Sequence, residues 1–393
     1  MRSKRSSVTD RSHSAGFTLI EILVALVVSA LAAIAIYSAF INTSRVFTQT
    51  KSQNNTWQQA RAALAMITEA VESAGYGLPM NMCGTIYSNY PPAPNGIGGL
   101  VPVSAVAQPT TNSTYDPTGT ASVNTYELTT VTGGGAFGSS PATHILTANP
   151  TSASMKVNNS ASLMSGDLFL ILLPYSQCIL GQLTNANPNT QTVVANSGAN
   201  GSLYNNHGHL GGTDPNLTQA ELRQAGFVNL GNSGFAVDHF YIDYALNANN
   251  TPNPYSVPSL YLQKYTAATS STTTVPTGTL VARGVVDMQV EFGYGTRGSV
   301  ITYGAPGTQP GANVLAVKIA LLVRSTRTTV GTTSAQAQGG QAAGTIALMQ
   351  GVAYKIPTGL APGTDGCLLG DCRHYIYHVF KTVIPVRNMI WNQ

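Results

Sequence analysis

Only 9% of the 393 residues are charged, against roughly 25% in typical soluble proteins, while hydrophobic residues reach 43%. The net charge is +4, and Arg2, Lys4, Arg5 and Arg11, offset by Asp10, place most of it before residue 17, so the rest of the chain lacks the basic cluster that nucleic-acid binding requires. The length allows two or three average domains with a sizeable core. Between Gly77 and Gly166 only Asp116, Glu127 and Lys156 are charged, a Ser/Thr/Asn/Gly surface that suits an exported protein.

The chain opens polar and basic and turns apolar at Phe17. From Phe17 to Ile41 only Thr18, Glu21, Ser29 and Ser38 interrupt the run. As a helix this segment reaches about 37 Å at 1.5 Å per residue, more than the ~30 Å hydrocarbon core of a bilayer. With the positive residues ahead of it, the positive-inside rule predicts a cytoplasmic N-terminus, one crossing and an exported remainder. A secretory signal cleaved near Ala30-Leu31-Ala32 is the plainer alternative, but such signals carry a shorter apolar region of about 7–15 residues. Glu21 also argues against it, because a carboxylate in a membrane segment costs about 2.5–3.5 kcal/mol and is retained for function.

The sequence Gly16-Phe17-Thr18-Leu19-Ile20-Glu21 resembles the processing motif of type IV prepilins and type II secretion pseudopilins. The resemblance implies that residues 1–16 are a leader removed after Gly16 by the prepilin peptidase, and that the new terminal Phe17 is N-methylated. It also implies an assembly role for Glu21, at the position where the family keeps one membrane-embedded acid. A buried carboxylate needs a counter-ion, and an α-ammonium in the same apolar layer supplies one.

The helical pattern continues beyond the membrane. Trp57, Ala60, Leu64, Ile67, Val71 and Ala74 follow three- and four-residue spacing, which sets one apolar stripe along a helix, with Thr50 and Gln53 extending it backwards. Gly75 and Gly77 are stop signals, with Pro79 beyond. The expected organisation is a leader (1–16), a helix over residues 17–75 that is transmembrane to about residue 41, and a β-rich exported head over residues 76–393. A short coiled coil with another chain is the competing reading of the stripe.

After Gly77 short β-type runs alternate with Pro, Gly, Asn, Ser and Thr. The clearer runs are residues 125–131, 167–173, 235–245, 259–265, 280–294, 316–325 and 373–385, with a short helix near 217–224 and loops at 247–258 and 325–345. Met288, Val290, Phe292 and Tyr294 share one face of their run, as do Val317, Ile319, Leu321 and Val323. The fold class expected is α+β: a long N-terminal pilin-type helix, transmembrane then amphipathic, packed on a mostly antiparallel β-sheet head with long loops. The run from Gly284 to Tyr294, followed by residues 317–324, resembles the strand pair of PilW-type minor pilins. The C-terminal stretch from His378 to Arg387-Asn388 resembles that family's closing strand, which tends to end in Arg-Asn.

The cysteines Cys83, Cys178, Cys367 and Cys372 are an even set on the side expected to be exported and oxidising. Cys367 and Cys372 close a tight loop and are expected to pair, which leaves Cys83 with Cys178. Zinc at Cys367, Cys372, His374 and His378 is the rival reading, but the two histidines would stand about 13 Å apart on an extended strand at ~3.3 Å per residue. Asp365 and Asp371 read as a solvated turn, His207-Gly208-His209 as a surface loop, and Gly133-Gly134-Gly135, without the following Lys-Ser/Thr of a phosphate loop, as a turn.

No metal, cofactor or enzymatic activity is expected. The resemblance implies a minor pilin of a type IV pilus that helps to initiate assembly and lies at or near the tip. It would begin as a single-pass inner-membrane protein with a periplasmic head and end in the extracellular filament. The implied partners are the prepilin peptidase, other minor pilins, the major pilin, the inner-membrane assembly platform, membrane lipid before assembly, and in some systems a large tip adhesin. The alternatives are a type II secretion tip pseudopilin and an adhesive module carried on a pilin helix.

Overall fold

The structure is a computed structural model. It describes residues 18–388 apart from 79–82, 84, 88–100, 109–124, 134–142, 150–151, 175–176, 197–204, 206–217, 224, 233–234, 248–252, 267–276, 297–298, 309–312, 326–344, 358–359, 361–362 and 368–369. It is an α+β fold, a long apolar N-terminal helix followed by mostly antiparallel β-structure. The chain forms two compact units, residues 1–51 and 52–393, and the division falls inside the helix Leu19–Ser73.

In the larger unit the second half of that helix supplies the core. Thr56, Ala60, Ala63, Ile67, Ala70 and Val71 are buried, and Trp57 and Leu64 pack partly buried beside them. The stripe expected from spacing is therefore present, widened by Ala63 and Ala70, whose small side chains let the backbone approach the sheets. The helix ends at two left-handed glycines, Gly75 (φ 80°) and Gly77 (φ 68°). Gly75 donates its N–H to the Val131 carbonyl at 2.8 Å, and Gly133 donates to the Tyr76 carbonyl at 2.7 Å. A Cβ on Gly133 would strike the Gly77 carbonyl, so the first residue of the triple glycine is a close-approach position.

Two sheets close over the helix. One runs in the order Thr279–Arg283, Ser259–Thr266, Ala236–Asp243, Tyr126–Thr132, Val103–Ala107, and the other Thr302–Gly304, Val285–Tyr294, Val314–Arg324, Tyr377–Pro385. The two alternating sets read from sequence lie opposite one another, with Met288 on Leu321, Val290 on Ile319 and Phe292 on Val317. They form one face that meets Ile67, Val71, Phe240 and Ile242 in a common core. The apolar run 280–294 is two strands rather than one. Gly284 (φ 79°) breaks it, and the Arg324 carbonyl fills the space a Cβ would need.

A further sheet has the order Thr85–Tyr87, Gln177–Gln182, Leu168–Leu173, Gly226–Gly231, Thr143–Ala148, Ser154–Val157, Thr192–Val194, Asn185–Asn187. Its first pair is parallel and its other pairs antiparallel. Leu168, Leu170, Leu180 and Leu230 join it to Val131, Val237 and Tyr265 on the outer face of the neighbouring sheet. The short helix expected near 217–224 is Gln219–Leu222, opened by a reciprocal cap between Thr218 and Glu221. A hairpin, Thr345–Met349 with Val352–Lys355, covers Val286 and Leu322 on the side of the four-stranded sheet away from the helix.

Candidate assembly site

Gly16 and Phe17 lie outside the described residues; the helix that follows them does not. Thr18 donates its N–H and its hydroxyl to Glu21 Oε2 at 3.1 and 3.0 Å, and the Glu21 N–H returns a bond to Thr18 Oγ1 at 3.3 Å. The acid thus closes its own helix N-terminus, where the helix dipole favours a negative charge. Downstream, Ser29, Thr43 and Thr50 donate their hydroxyls to the carbonyls of Ala25, Ala39 and Val46. Polar side chains that satisfy themselves on their own backbone suit an environment without water. Among the described residues the apolar side chains of this half are largely exposed, Leu19 at 82% and Phe40 at 69%. The helix is long and apolar enough to cross a membrane. An apolar surface of this extent calls for lipid or other apolar helices around it.

All four cysteines pair as the spacing predicts. Cys83 bonds to Cys178 with Cα atoms 5.4 Å apart, and Cys367 to Cys372 with Cα atoms 5.1 Å apart. The first bridge ties the segment just after the helix to the strand Gln177–Gln182 inside an apolar cluster with Leu168, Leu180 and Phe235. The second closes a loop against the end of the strand Val314–Arg324.

The histidines and acids near that loop are drawn into separate environments. His374 stands 3.8 Å from Asp371, which holds Arg373 at 2.7 Å, and the arginine lowers the Asp371 carboxyl below its ordinary range. His378 lies between the rings of Trp57 and Phe380, at 5.1 and 4.6 Å, where burial and nearby Arg61 lower its pKa. His207 and His209 fall outside the described residues. A further histidine carried no sequence signal: His239 touches Thr129 Oγ1 with Nδ1 at 3.0 Å and Glu127 Oε2 with Nε2 at 3.3 Å. His239 and Glu127, only 1% and 2% exposed, are closed to solvent, and Thr129 is partly buried beside them.

Arg387 and Asn388, just after the last strand, act on the end of the helix. Arg387 reaches Glu72 at 2.8 Å, and Asn388 donates to the carbonyls of Ser73 and Ala74 at 3.3 and 2.9 Å. The terminal Arg-Asn pair therefore holds the end of the helix, a role its sequence position alone does not disclose.

Two family models match this chain. Residues 11–37 match the prokaryotic N-terminal methylation motif, and residues 237–388 match type IV pilus-assembly protein W. No curated protein and no solved structure gives a significant match. The first match takes in residues 11–16, Glu21 and most of the apolar segment; the second runs from within the strand Ala236–Asp243 through the strands Val285–Tyr294 and Val314–Arg324 and the Cys367–Cys372 loop to Asn388. Together the two matches support a PilW-like type IV pilin, a family whose members are structural pilus components.

Proposed function

We propose that this chain is a minor pilin that helps to initiate pilus assembly and resides at or near the filament tip. The observation that carries the reading is the division of one 55-residue helix into two chemistries. Its first half exposes apolar side chains on all sides and carries a single acid, Glu21, and its second half is the spine of a β-rich core. In this reading the prepilin peptidase cuts after Gly16, Phe17 is methylated, and lipid surrounds the first half until other pilins replace it. Glu21 then pairs with an α-ammonium of its own chain or a neighbour and sets the register of one subunit on the next. The N-terminus begins in the cytoplasm and the head in the periplasm, where an oxidising environment closes the two disulfides. The chain's length supports a large minor pilin, and its Ser/Thr/Asn-rich inserts favour a pilus over a secretion system.

Deletion of the gene, with complementation by wild-type and Glu21→Val forms, tests this. The expected result is few or no pili after deletion, recovery with wild type, and poor recovery with Glu21→Val. Normal piliation in the deletion strain together with a type II secretion defect would assign the chain to the secretion pseudopilins instead.

A further inference from the structure

Arg324 ends the strand Val314–Arg324 with its side chain 1% exposed. Its Nη1 donates to Cys367 Sγ at 2.7 Å and to Cys372 Sγ at 3.4 Å, and its Nη2 donates to the Asp365 carbonyl. The guanidinium also lies 4.6 Å from the centre of the Tyr375 ring. Asp365, in a left-handed conformation (φ 55°), accepts the Tyr244 hydroxyl at 2.6 Å and donates its N–H to the Pro254 carbonyl at 2.8 Å. Asp365 and the Cys367–Cys372 bridge beside it thus join Tyr244, just past the strand Ala236–Asp243, to the end of the strand Val314–Arg324 around one buried cation.

A disulfide is neutral and a weak acceptor, whereas a thiolate is an anion. A guanidinium cannot give up its proton, so it favours the reduced, ionised form of a neighbouring cysteine over the oxidised pair. Basic neighbours bring thiol pKa values from ~8.5 down to about 3.5–7.5, and a thiol of lower pKa leaves faster in exchange. Cys367 and Cys372 are also buried, at 0% and 1% exposed, but against this cation, whereas Cys178 is packed among Leu168, Leu170, Leu180 and Leu230, surroundings that oppose a thiolate.

We infer that Arg324 makes Cys367–Cys372 a redox-responsive clasp, opened by dithiol reductants, while Cys83–Cys178 remains a structural crosslink. In the exchange a thiolate of the dithiol attacks Cys372 Sγ. The bond to Cys367 Sγ breaks and its electron pair stays on Cys367, which leaves as a thiolate beside Arg324. The reductant's second thiol passes its proton to Cys372 as it displaces that sulfur and closes the reductant's own disulfide. Two electrons move to the protein, and charge and protons balance. The freed loop then releases Asp365 from Tyr244 and loosens the join between the two sheets.

The test uses the full chain in detergent micelles, equilibrated with mixtures of dithiothreitol and its oxidised form near neutral pH, acid-quenched, alkylated and mapped. Cys367–Cys372 is expected to be half reduced at a dithiol ratio about tenfold lower than in Arg324→Gln, equivalent to about 30 mV, with Arg324→Lys between them and Cys83–Cys178 unmoved by either substitution. The wild-type chain gives a second readout that needs no variant. With only Cys367–Cys372 reduced, ultraviolet thiolate absorbance should titrate well below the ~8.5 of a free cysteine. Titration at or above that value, reduction of Cys83–Cys178 first, or the same ratio in wild type and a folded Arg324→Gln would each overturn the inference.

Discussion

The side-chain amide of Asn388 donates to the main-chain carbonyl of Ala74 at 2.9 Å, joining the last strand to the end of the long helix. A helix leaves four carbonyls unsatisfied at its C-terminus, and this helix has no basic residue in its last turn. Asn388 and Arg387 supply from the far end of the sequence what the local sequence lacks.

Asn388→Ala should therefore lower the stability of the head by about 1 kcal/mol, the usual worth of one such bond. Arg387→Ala should matter less, because Arg387 is 62% exposed and its pair with Glu72 is screened by solvent. Urea unfolding of both variants gives the order, and a larger loss from Arg387→Ala would contradict the capping role.

Adjacent helix residues offer a sharper contrast. Ile67 is fully buried against the sheets and Met66 is 42% exposed. Ile67→Ala is expected to cost about 2–5 kcal/mol and Met66→Ala under about 0.5 kcal/mol. Similar losses at the two positions would mean that another face of the helix meets the core.

Much of this packing was legible beforehand. The helix stripe, its glycine stops and the alternating strands announce themselves by period, because each buries one face against one partner. The large sheet does not. Asn185–Asn187 and Thr192–Val194 are three residues each, too short to display an alternation, and Asn185 and Asn187 are exposed. Nor did the single apolar run around Gly284 reveal that the chain turns there, since the constraint is the carbonyl of Arg324, forty residues later. The cysteine pairings were readable from number and spacing. The burial of Arg324 was not, because a lone arginine at a strand end reads as solvated until the loop that covers it is placed.

Asp287 gives the head a pH dependence. It is fully buried, accepts Gln289 Nε2 at 2.8 Å, and burial pushes its carboxyl from 3.8 up to about 7. The folded chain therefore binds this proton more tightly than the unfolded chain. Its contribution is most favourable below the unfolded value, declines as pH rises from about 4 to about 7, and is level above. At 1.36 kcal/mol per unit the decline is at most about 4 kcal/mol. Asp287→Asn should remove this slope and be the more stable protein near pH 8. Parallel stability curves for the two proteins would show that Asp287 is ionised at little cost in the fold.

Cys83→Ser should make the head protease-sensitive, with a loss of about 2–5 kcal/mol, because the bridge spans 95 residues of sequence and joins the helix's exit to the strand Gln177–Gln182. Limited proteolysis of wild type and variant, both with Cys367–Cys372 intact, reads this out. Equal digestion would leave the bridge without a stabilising role.

The most direct measurement is mass spectrometry of this chain recovered from sheared pilus fractions. A pilin that enters filaments should appear there beginning at N-methylated Phe17, and Glu21→Val should appear processed in the membrane fraction yet be depleted from the filaments. Removing one member of a buried charge pair costs about 3–5 kcal/mol, a factor of hundreds or more in association. A mature chain beginning near Ala33, or Glu21→Val present in filaments at the wild-type level, would contradict the assembly role assigned to this helix.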